Sequence, residues 1–344
     1  MSGRYERTIV AFGEILWDML PDCTRLGGAP FNFTYRINSL GDVGLMISRI
    51  GSDALGDKAL EAVRSLGVET SLLQRDPVHP TGTVQVTFDN DHMPDYLIVP
   101  KVAYDYIEET DALGHAVVRA DCLCFGTLVQ RSETTRRTLA QLIECSSKAS
   151  TELSRTSCLR VLDINLRKKC YSLDTVKYSL GHADLLKLND DEVRLLVPLL
   201  GMASKASTEL SRTSCTVTFC EQIMELYPIQ HCLVTFGQNG ALVVSQSGEK
   251  IYEPGYRVKL ADSLGSGDAF TAGFVHKYLR AATLKDACHF GNVLGAIVAT
   301  QIGATEPISP EQIEEFEPPC FLAKARRGVV ERNILSEFER FIPS

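Results

Sequence analysis

The sequence predicts an α/β fold in which helices cover a mostly parallel sheet. Short apolar runs of strand length alternate with amphipathic helical patterns along most of the 344 residues. Several of these runs, such as DCLCFG and HCLVTFG, are apolar almost throughout, as in strands that are buried on both faces. The stretch between Pro80 and Pro100 instead alternates like a hairpin and contains no helical pattern.

The first elements follow from local patterns. The β-branched and aromatic run Thr8–Phe12 predicts a buried strand, and ILWDML predicts a second strand that ends before a turn at Pro21–Thr24. A helix is predicted over Phe33–Leu40, followed by the strand VGLMISRIG. The amphipathic segment LGDKALEAVRSLG predicts a helix that Gly67 ends.

Beyond the hairpin, whose turn is expected at Asp89–Asp91, the α/β alternation returns. The runs DCLCFG, CLRVLDIN, ADLLKLN and HCLVTFG predict strands with helices between them, and a long helix is predicted over Asp268–Arg280. Twelve residues, SKASTELSRTSC, occur twice, at Ser147–Cys158 and Ser204–Cys215. Because they are polar and lie between predicted helices and strands, we expect them to be surface insertions without a catalytic role.

Composition and charge exclude several classes of protein. With 44% hydrophobic and 23% charged residues, the chain falls in the ordinary globular class. The net charge of -8 disfavours non-specific binding to nucleic acid or to an anionic membrane. No apolar run is long enough to span a bilayer and no signal peptide is evident at the start, so we expect a cytoplasmic protein.

The cysteines predict no disulfide framework, because their number, 11, is odd and the chain is long. Cys122 and Cys124 are the closest pair and lie two residues apart in an apolar run. We therefore expect two buried side chains on one face of a strand, and no zinc site, since no neighbouring ligands complete one.

The segment ADSLGSGDAF contains a Gly/Ser loop that leads directly into a helix. Gly265, Ser266 and Gly267 can present successive backbone N–H groups at the helix N-terminus, where an anion is stabilised. A carboxylate at Asp268 would repel a phosphate unless it accepts a proton from an attacking hydroxyl, which is the task of a general base. From this segment alone, a carboxylate that merely caps the helix is an equally good interpretation.

Familiar nucleotide-binding signatures are absent. The sequence contains no GxxxxGK[ST], which argues against a P-loop NTPase. Phe270 stands where the third glycine of a GxGxxG dinucleotide motif would lie.

A second glycine cluster, LGGAPFNF, precedes the first predicted helix. Gly27 and Gly28 allow a ligand to approach the backbone, Asn32 offers donors and an acceptor, and Asp18 offers two acceptor oxygens. Such groups suit the vicinal hydroxyls of a sugar. Considered alone, the cluster is better interpreted as a turn beside a solvated aspartate.

Taken together, these motifs resemble the ribokinase-like, or phosphofructokinase B, family of carbohydrate kinases, and most of all its bacterial fructokinases. DSLGSGD is similar to the family's carboxyl-terminal signature, and LGGAPFNFTYRINSLG with IGSDALGD is similar to its amino-terminal one. LDINLR, KLNDDE, VTFGQNGA and HFGNVLGA match further landmarks in order. The resemblance implies a ribokinase-like fold with a small β-sheet lid.

The resemblance also implies roles for individual residues, with ATP and Mg²⁺, and in many members K⁺, as the expected cofactors. Asp268 would deprotonate the sugar, while Gly265, Ser266 and Gly267 stabilise the transferring phosphoryl group. The expected sugar-binding residues are Asp18, Gly27, Gly28, Asn32, Gln130, Arg131 and Arg167. The expected nucleotide-binding residues are Asn189, Thr235, Gly237, Gly240, Gly267 and Asn292. Glu192 would hold Mg²⁺ through water, and Asp262 and Gly303 would bind K⁺.

The sugar expected from the resemblance is D-fructose, because GEILWDML and FGTLVQRS are similar to fructokinase segments. Arg131 and Arg167 keep 2-keto-3-deoxygluconate open as an alternative, and ribose is a further one. For Arg131, an ion pair with a nearby acid is as good an interpretation as sugar contact. In a different functional class, the chain would be a family member that binds sugar or nucleotide without catalysis.

The expected organisation is one ribokinase-like domain over residues 1–344. The lid would be formed by residues 14–34 and 80–106, and a helical extension by residues 318–344. Lid edges pair between subunits in several members, so the resemblance implies a homodimer formed through the lid. The only other expected partner is the sugar substrate.

Overall fold

The computed structural model describes residues 6–20, 23–88, 94–152, 158–202 and 212–316. A nine-stranded sheet, flanking helices and a separate four-stranded sheet confirm the predicted α/β class. Contacts divide the chain into two compact units. The first unit is Met1–Val161 with Asn165–Val176, and the second unit is Leu162–Ile164 with Lys177–Ser344. The single domain stays a prediction.

The first unit contains eight strands and four helices among the described residues. In chain order they are β1 (Thr8–Phe12), β2 (Leu16–Met19), β3 (Thr24–Gly27), α1 (Ala29–Ser39), β4 (Val43–Gly51), α2 (Ala54–Ser65), β5 (Leu73–Asp76), β6 (Gly82–Phe88), β7 (Pro94–Ile98), α3 (Asp111–Val118), β8 (Cys122–Phe125) and α4 (Glu133–Glu152). Two elements, β9 (Leu159–Asp163) and α5 (Leu173–Leu180), have residues in both units.

The second unit follows with four strands and five helices in the part of the chain that the structure describes. They are β10 (Leu185–Asn189), α6 (Asp190–Leu199), α7 (Arg212–Leu226), β11 (His231–Thr235), β12 (Ala241–Ser245), β13 (Lys250–Glu253), α8 (Ser266–Tyr278), α9 (Leu284–Ala299) and α10 (Pro310–Phe316).

The large sheet is parallel at its centre. In the first unit, β1 pairs in parallel with β4 and with β8, and β4 pairs in parallel with β5. In the second unit, β10 and β11 are parallel, whereas β12 and β13 add antiparallel strands at the edge. The side chains of Ile9, Val10, Ala11 and Phe12 in β1 are buried, because helices cover both faces of the sheet.

The small sheet has the strand order β3-β2-β6-β7. β2–β3 and β6–β7 pair in antiparallel fashion, and β2–β6 pair in parallel. The strands of this sheet fall within the residue ranges predicted for the lid. Of the turn expected at Pro21–Thr24, only Thr24 belongs to β3, and residues 21–22 lie outside the described residues. The expected hairpin turn at Asp89–Asp91 lies outside the described residues.

Several element boundaries differ from the sequence predictions. Helix α1 begins at Ala29 rather than at Phe33, because Pro30 fits the first turn of a helix. Helix α8 covers Ser266–Tyr278 rather than Asp268–Arg280. Cys122 and Cys124 are buried in β8, as predicted.

The repeated dodecamer is partly helical where the structure describes it. The first copy begins within α4, and the second copy ends within α7. The central parts of both copies lie outside the described residues, as does the predicted extension at residues 318–344. Among the helices that the structure describes, none combines the length and the apolar character that crossing a membrane would need.

Candidate active site

The Gly/Ser loop forms the start of α8. Gly265 is the N-cap with φ 76°, a left-handed conformation that glycine adopts without strain. The Ser266 side chain donates to the Gly295 carbonyl oxygen at 2.8 Å. The Ser266 backbone N–H donates to the Ser263 carbonyl oxygen at 3.3 Å and so closes the loop. Residues 265–268 are half-exposed. The predicted anion hole therefore has an accessible helix N-terminus.

Asp268 lies in the first turn of α8, as a carboxylate favoured by the helix dipole. Its charge also interacts with the buried ammonium of Lys187. A Cβ added to Gly267 would lie 3.1 Å from Lys187 Nζ, so the ammonium packs against the Gly267 backbone. The structure therefore brings Asp268, the glycine loop and a cation together within the second unit.

Lys187 and its partner Asp163 were not predicted to belong to the site. Lys187 Nζ lies 3.2 Å from Asp163 Oδ1, and the Thr271 hydroxyl of α8 donates to Asp163 Oδ2 at 3.0 Å. The available signal was a lysine inside the apolar strand ADLLKLN, where an unpaired charge is costly.

Asn189 and Glu192 form a reciprocal capping box at the start of α6. The Asn189 side chain accepts from the Glu192 N–H at 2.9 Å, and Glu192 Oε2 accepts from the Asn189 N–H at 2.8 Å. Glu192 is 6% exposed. Among the described residues there is no group of three or more His, Cys, Asp or Glu side chains that could hold a metal ion. A single carboxylate beside an amide fits Mg²⁺ that keeps most of its waters.

Asp262 and Gly303, the predicted K⁺ residues, are adjacent. Asp262 Oδ1 accepts from the Leu264 N–H at 3.0 Å, and Oδ2 accepts from the Gly303 N–H at 3.2 Å. The carboxylate therefore ties the loop before α8 to the segment after α9. Oxygen atoms of this loop and segment are the donor type that K⁺ requires.

The predicted nucleotide residues occupy strand ends and turns of the second unit. Thr235 ends β11, and Gly237 opens the short 3-10 turn Gly237–Asn239. Gly240 has φ 103°, and a Cβ there would meet the Glu253 carbonyl oxygen. Asn292 is buried and donates to the carbonyl oxygens of Glu253 and Pro254. It thus fixes the end of β13, and its contact with adenine or ribose stays a prediction.

In the first unit, the structure brings Asp18 and Gly27 together. A Cβ on Gly27 would lie 2.8 Å from Asp18 Oδ2, so the carboxylate of β2 lies over the glycine of β3. Gly28 has φ 115° and caps α1, whose Asn32 is 3% exposed. These residues lie in or directly beside the small sheet, and their contact with sugar hydroxyls stays a prediction.

The remaining predicted sugar residues have different environments. Gln130 is fully buried and its side-chain amide donates to the Gly126 carbonyl oxygen at 2.8 Å. Arg131 is engaged in a buried ion pair with Asp105, and Arg167 is exposed after β9. Sugar contact by these three side chains stays a prediction.

The known proteins that match this chain are carbohydrate kinases. The family model described as pfkB family carbohydrate kinase matches residues 23–312. Probable fructokinase-5 of Arabidopsis thaliana is 26% identical over 321 residues, which cover 86% of this chain and 92% of the relative. The fructokinase of Escherichia coli is 26% identical over 333 residues, which cover 89% of this chain and 97% of that relative.

The fold is also that of a solved fructokinase. The crystal structure of fructokinase with bound ATP from Xylella fastidiosa superposes with a TM-score of 0.73 and 21% identity, and covers 91% of this chain and 98% of that chain. The chain therefore belongs to the pfkB family of carbohydrate kinases, which are phosphotransferases with an alcohol group as acceptor.

Proposed function

We propose that this protein transfers the γ-phosphoryl group of MgATP to a hydroxyl group of D-fructose. The observation that carries the proposal is the position of Asp268, which places a carboxylate in the first turn of α8 directly after the Gly265–Gly267 loop. The names of the fructokinase relatives support D-fructose as the sugar. 2-Keto-3-deoxygluconate and ribose are the alternative substrates.

In the proposed reaction, Asp268 accepts the proton of the attacking sugar hydroxyl. A bond forms between the sugar oxygen and the γ-phosphorus, and the bond between that phosphorus and the ADP oxygen breaks. The N–H groups at the start of α8 offset the charge that develops on the phosphoryl oxygens. Gly265 and Gly267 serve this role because they leave the backbone accessible.

Cofactors and nucleotide are assigned to residues of the second unit. Glu192, held by Asn189, would bind Mg²⁺ through water, and the ion would neutralise phosphate charge when bound. Oxygens near Asp262 and Gly303 would hold K⁺. Nucleotide contacts are assigned to Thr235, Gly237, Gly240 and Asn292.

Sugar recognition is assigned to the first unit. Asp18 would accept hydrogen bonds from neighbouring sugar hydroxyls, and Asn32 would both donate and accept. Gly27 and Gly28 let the ligand approach the backbone closely. The small sheet that contains β2 and β3 would act as the lid that excludes water, a competing phosphoryl acceptor.

The proposal is tested by measuring ADP release from MgATP with fructose, ribose, 2-keto-3-deoxygluconate, adenosine and fructose 6-phosphate. We expect turnover with fructose alone, and a loss of kcat of about 10²- to 10⁴-fold in Asp268→Asn, since a general base is removed. Asp111→Asn, an exposed aspartate in the first turn of α3, is the matched control.

The other outcomes change different parts of the proposal. Turnover with another sugar, lost in Asp268→Asn, would replace the substrate and keep the mechanism. Binding of ATP by calorimetry without turnover on any sugar would show a non-catalytic binding protein. Full activity of Asp268→Asn would remove the base from the mechanism.

A further inference from the structure

Lys187 is a buried cation beside the proposed anion hole. It lies in β10, and its side chain is 9% exposed. Its Nζ lies 3.2 Å from both Oδ1 and Oδ2 of Asp163, so the ammonium bridges the carboxylate. A buried charge at this place is costly unless it is paired, and the pairing with Asp163 meets that requirement.

The ion pair is connected to α8 by a hydroxyl group. Thr271 Oγ1 lies 3.0 Å from Asp163 Oδ2 and 3.0 Å from the Gly267 carbonyl oxygen, and it can donate to one of them at a time. The bond to the carboxylate is charge-assisted and is therefore the stronger of the two. Thr271 is fully buried, so water does not replace this contact.

A second contact places the ammonium directly against the loop. The 3.1 Å between Lys187 Nζ and a Cβ built on Gly267 shows that the ammonium fills the space beside this glycine. Negative charge surrounds it, from Asp163 on β9, Glu192 on α6 and Asp268 on α8. Burial disfavours the charged form, but these carboxylates raise the pKa of Lys187 above its usual value. Lys187 therefore carries a full charge at neutral pH.

We propose that Lys187 is a positioning residue that holds the first turn of α8, through Asp163 and Thr271, in the geometry that phosphoryl transfer requires. The inference rests on the proposed kinase function and goes beyond it, because Lys187 needs no contact with sugar or nucleotide. Its charge also offsets the negative charge of the Asp163, Glu192 and Asp268 carboxylates that interact with it. Loss of the network therefore reduces kcat, whereas the affinity for either substrate changes little.

The test compares Lys187→Met, Lys187→Arg and Thr271→Val with Thr271→Ser and with Lys177→Met, an exposed lysine of α5. We expect Lys187→Met to lower kcat by about 10- to 100-fold, the loss typical of one hydrogen bond to a charged group, with both KM values within about threefold. Thr271→Val should also lower kcat, whereas Thr271→Ser and Lys187→Arg should retain part of the wild-type kcat. Lys177→Met should have the wild-type kcat.

Folding is separated from positioning by a double variant. Lys187→Met alone leaves a buried carboxylate unpaired, whereas Lys187→Met with Asp163→Asn restores neutrality. We expect the double variant to regain thermal stability without regaining kcat. Recovery of wild-type kcat in the double variant, or a rise in KM at unchanged kcat, would overturn the inference.

A readout without sugar distinguishes this inference from the proposed function. MgATP hydrolysis in the absence of sugar needs the same turn of α8, and each variant is measured in that assay. A wild type that hydrolyses MgATP but phosphorylates no fructose contradicts the proposed function, and the variants still report on Lys187. Unchanged hydrolysis in Lys187→Met, or no hydrolysis and no transfer in the wild type, would overturn the inference.

Discussion

Two buried ion pairs, one in each unit, have similar exposure and different surroundings. Arg131–Asp105 in the first unit has side chains 13% and 4% exposed, and Lys187–Asp163 in the second has 9% and 12%. For the arginine, sugar contact and an ion pair with a nearby acid were equally good predictions, whereas no role was predicted for the lysine. The surroundings of the lysine link it to the proposed reaction more closely than those of the arginine do.

Arg131 uses its donors within its own unit. It donates to Asp105 Oδ1 at 2.8 Å and Oδ2 at 2.9 Å, to the Val99 carbonyl oxygen at 2.8 Å and to the Tyr104 hydroxyl at 3.1 Å. Burial disfavours its charge, but Asp105 raises the pKa of Arg131 above its usual value. These contacts fix the chain where it leaves β7, which is a structural task.

The difference shows how a buried charge is interpreted. A cation whose donors end on carbonyl and carboxylate groups of its own fold stabilises that fold. A cation that also borders the first turn of a helix, beside a half-exposed loop that carries a carboxylate, is placed to influence a reaction. Burial alone does not distinguish the two roles.

The largest effect on stability is expected for Arg131→Met. Removing the guanidinium leaves Asp105 buried without its charge partner, so the free energy of unfolding should fall by about 3–5 kcal/mol. Urea unfolding at neutral pH measures it. Arg131→Met with Asp105→Asn, the matched neutral pair, should regain most of the loss. Unchanged stability together with a raised KM for fructose would instead identify Arg131 as a sugar ligand.

A smaller and pH-dependent effect is expected for Asp76, whose carboxylate pairs with Arg49 at 2.8 Å. Burial works to raise its pKa, but the N–H groups of His79 and Val78, the His79 side chain and Arg49 lower it overall. Its stabilisation is therefore present above the unfolded pKa of about 3.9 and is lost as the pH falls through the lower folded value.

The corresponding variant is Asp76→Asn. At neutral pH it should lower the free energy of unfolding by about 1–3 kcal/mol, the cost of losing hydrogen bonds to a charged group. The difference from wild type should begin to shrink below about pH 4, where the carboxylate of the unfolded chain becomes protonated, and should fade as the pH falls through the lower folded value. Urea unfolding from pH 7 to pH 3 measures it, and a difference that grows as the pH falls would contradict the assignment.

The smallest effect is expected for Arg137→Ala, which breaks an exposed ion pair on α4. Arg137 donates to Glu133 at 3.0 Å, with side chains 70% and 74% exposed. Solvent screens such pairs, so the free energy of unfolding should change by less than about 0.5 kcal/mol. If Arg137→Ala lowered the free energy of unfolding as much as Arg131→Met, burial would not explain the difference in stabilisation between these two ion pairs.

The local sequence was sufficient to predict elements whose residue pattern is contiguous in the chain. β1 and β4 have the predicted boundaries, because their apolar β-branched runs have few alternatives to a buried strand. The glycine loop and Asp268 at the start of α8 were predicted for the same reason, since a loop and the helix that follows it are neighbours in the chain.

Contacts between residues that are far apart in the chain were visible only in the tertiary structure. Lys187 and Asp163 are 24 positions apart, and Thr271 lies 108 positions beyond Asp163. No period or motif within a single element shows that these groups meet, because their contact depends on the adjacent strands β9 and β10 and on the packing of α8. The pairing of Arg131 with Asp105 was open for the same reason, and only the folded first unit shows which donor meets which acceptor.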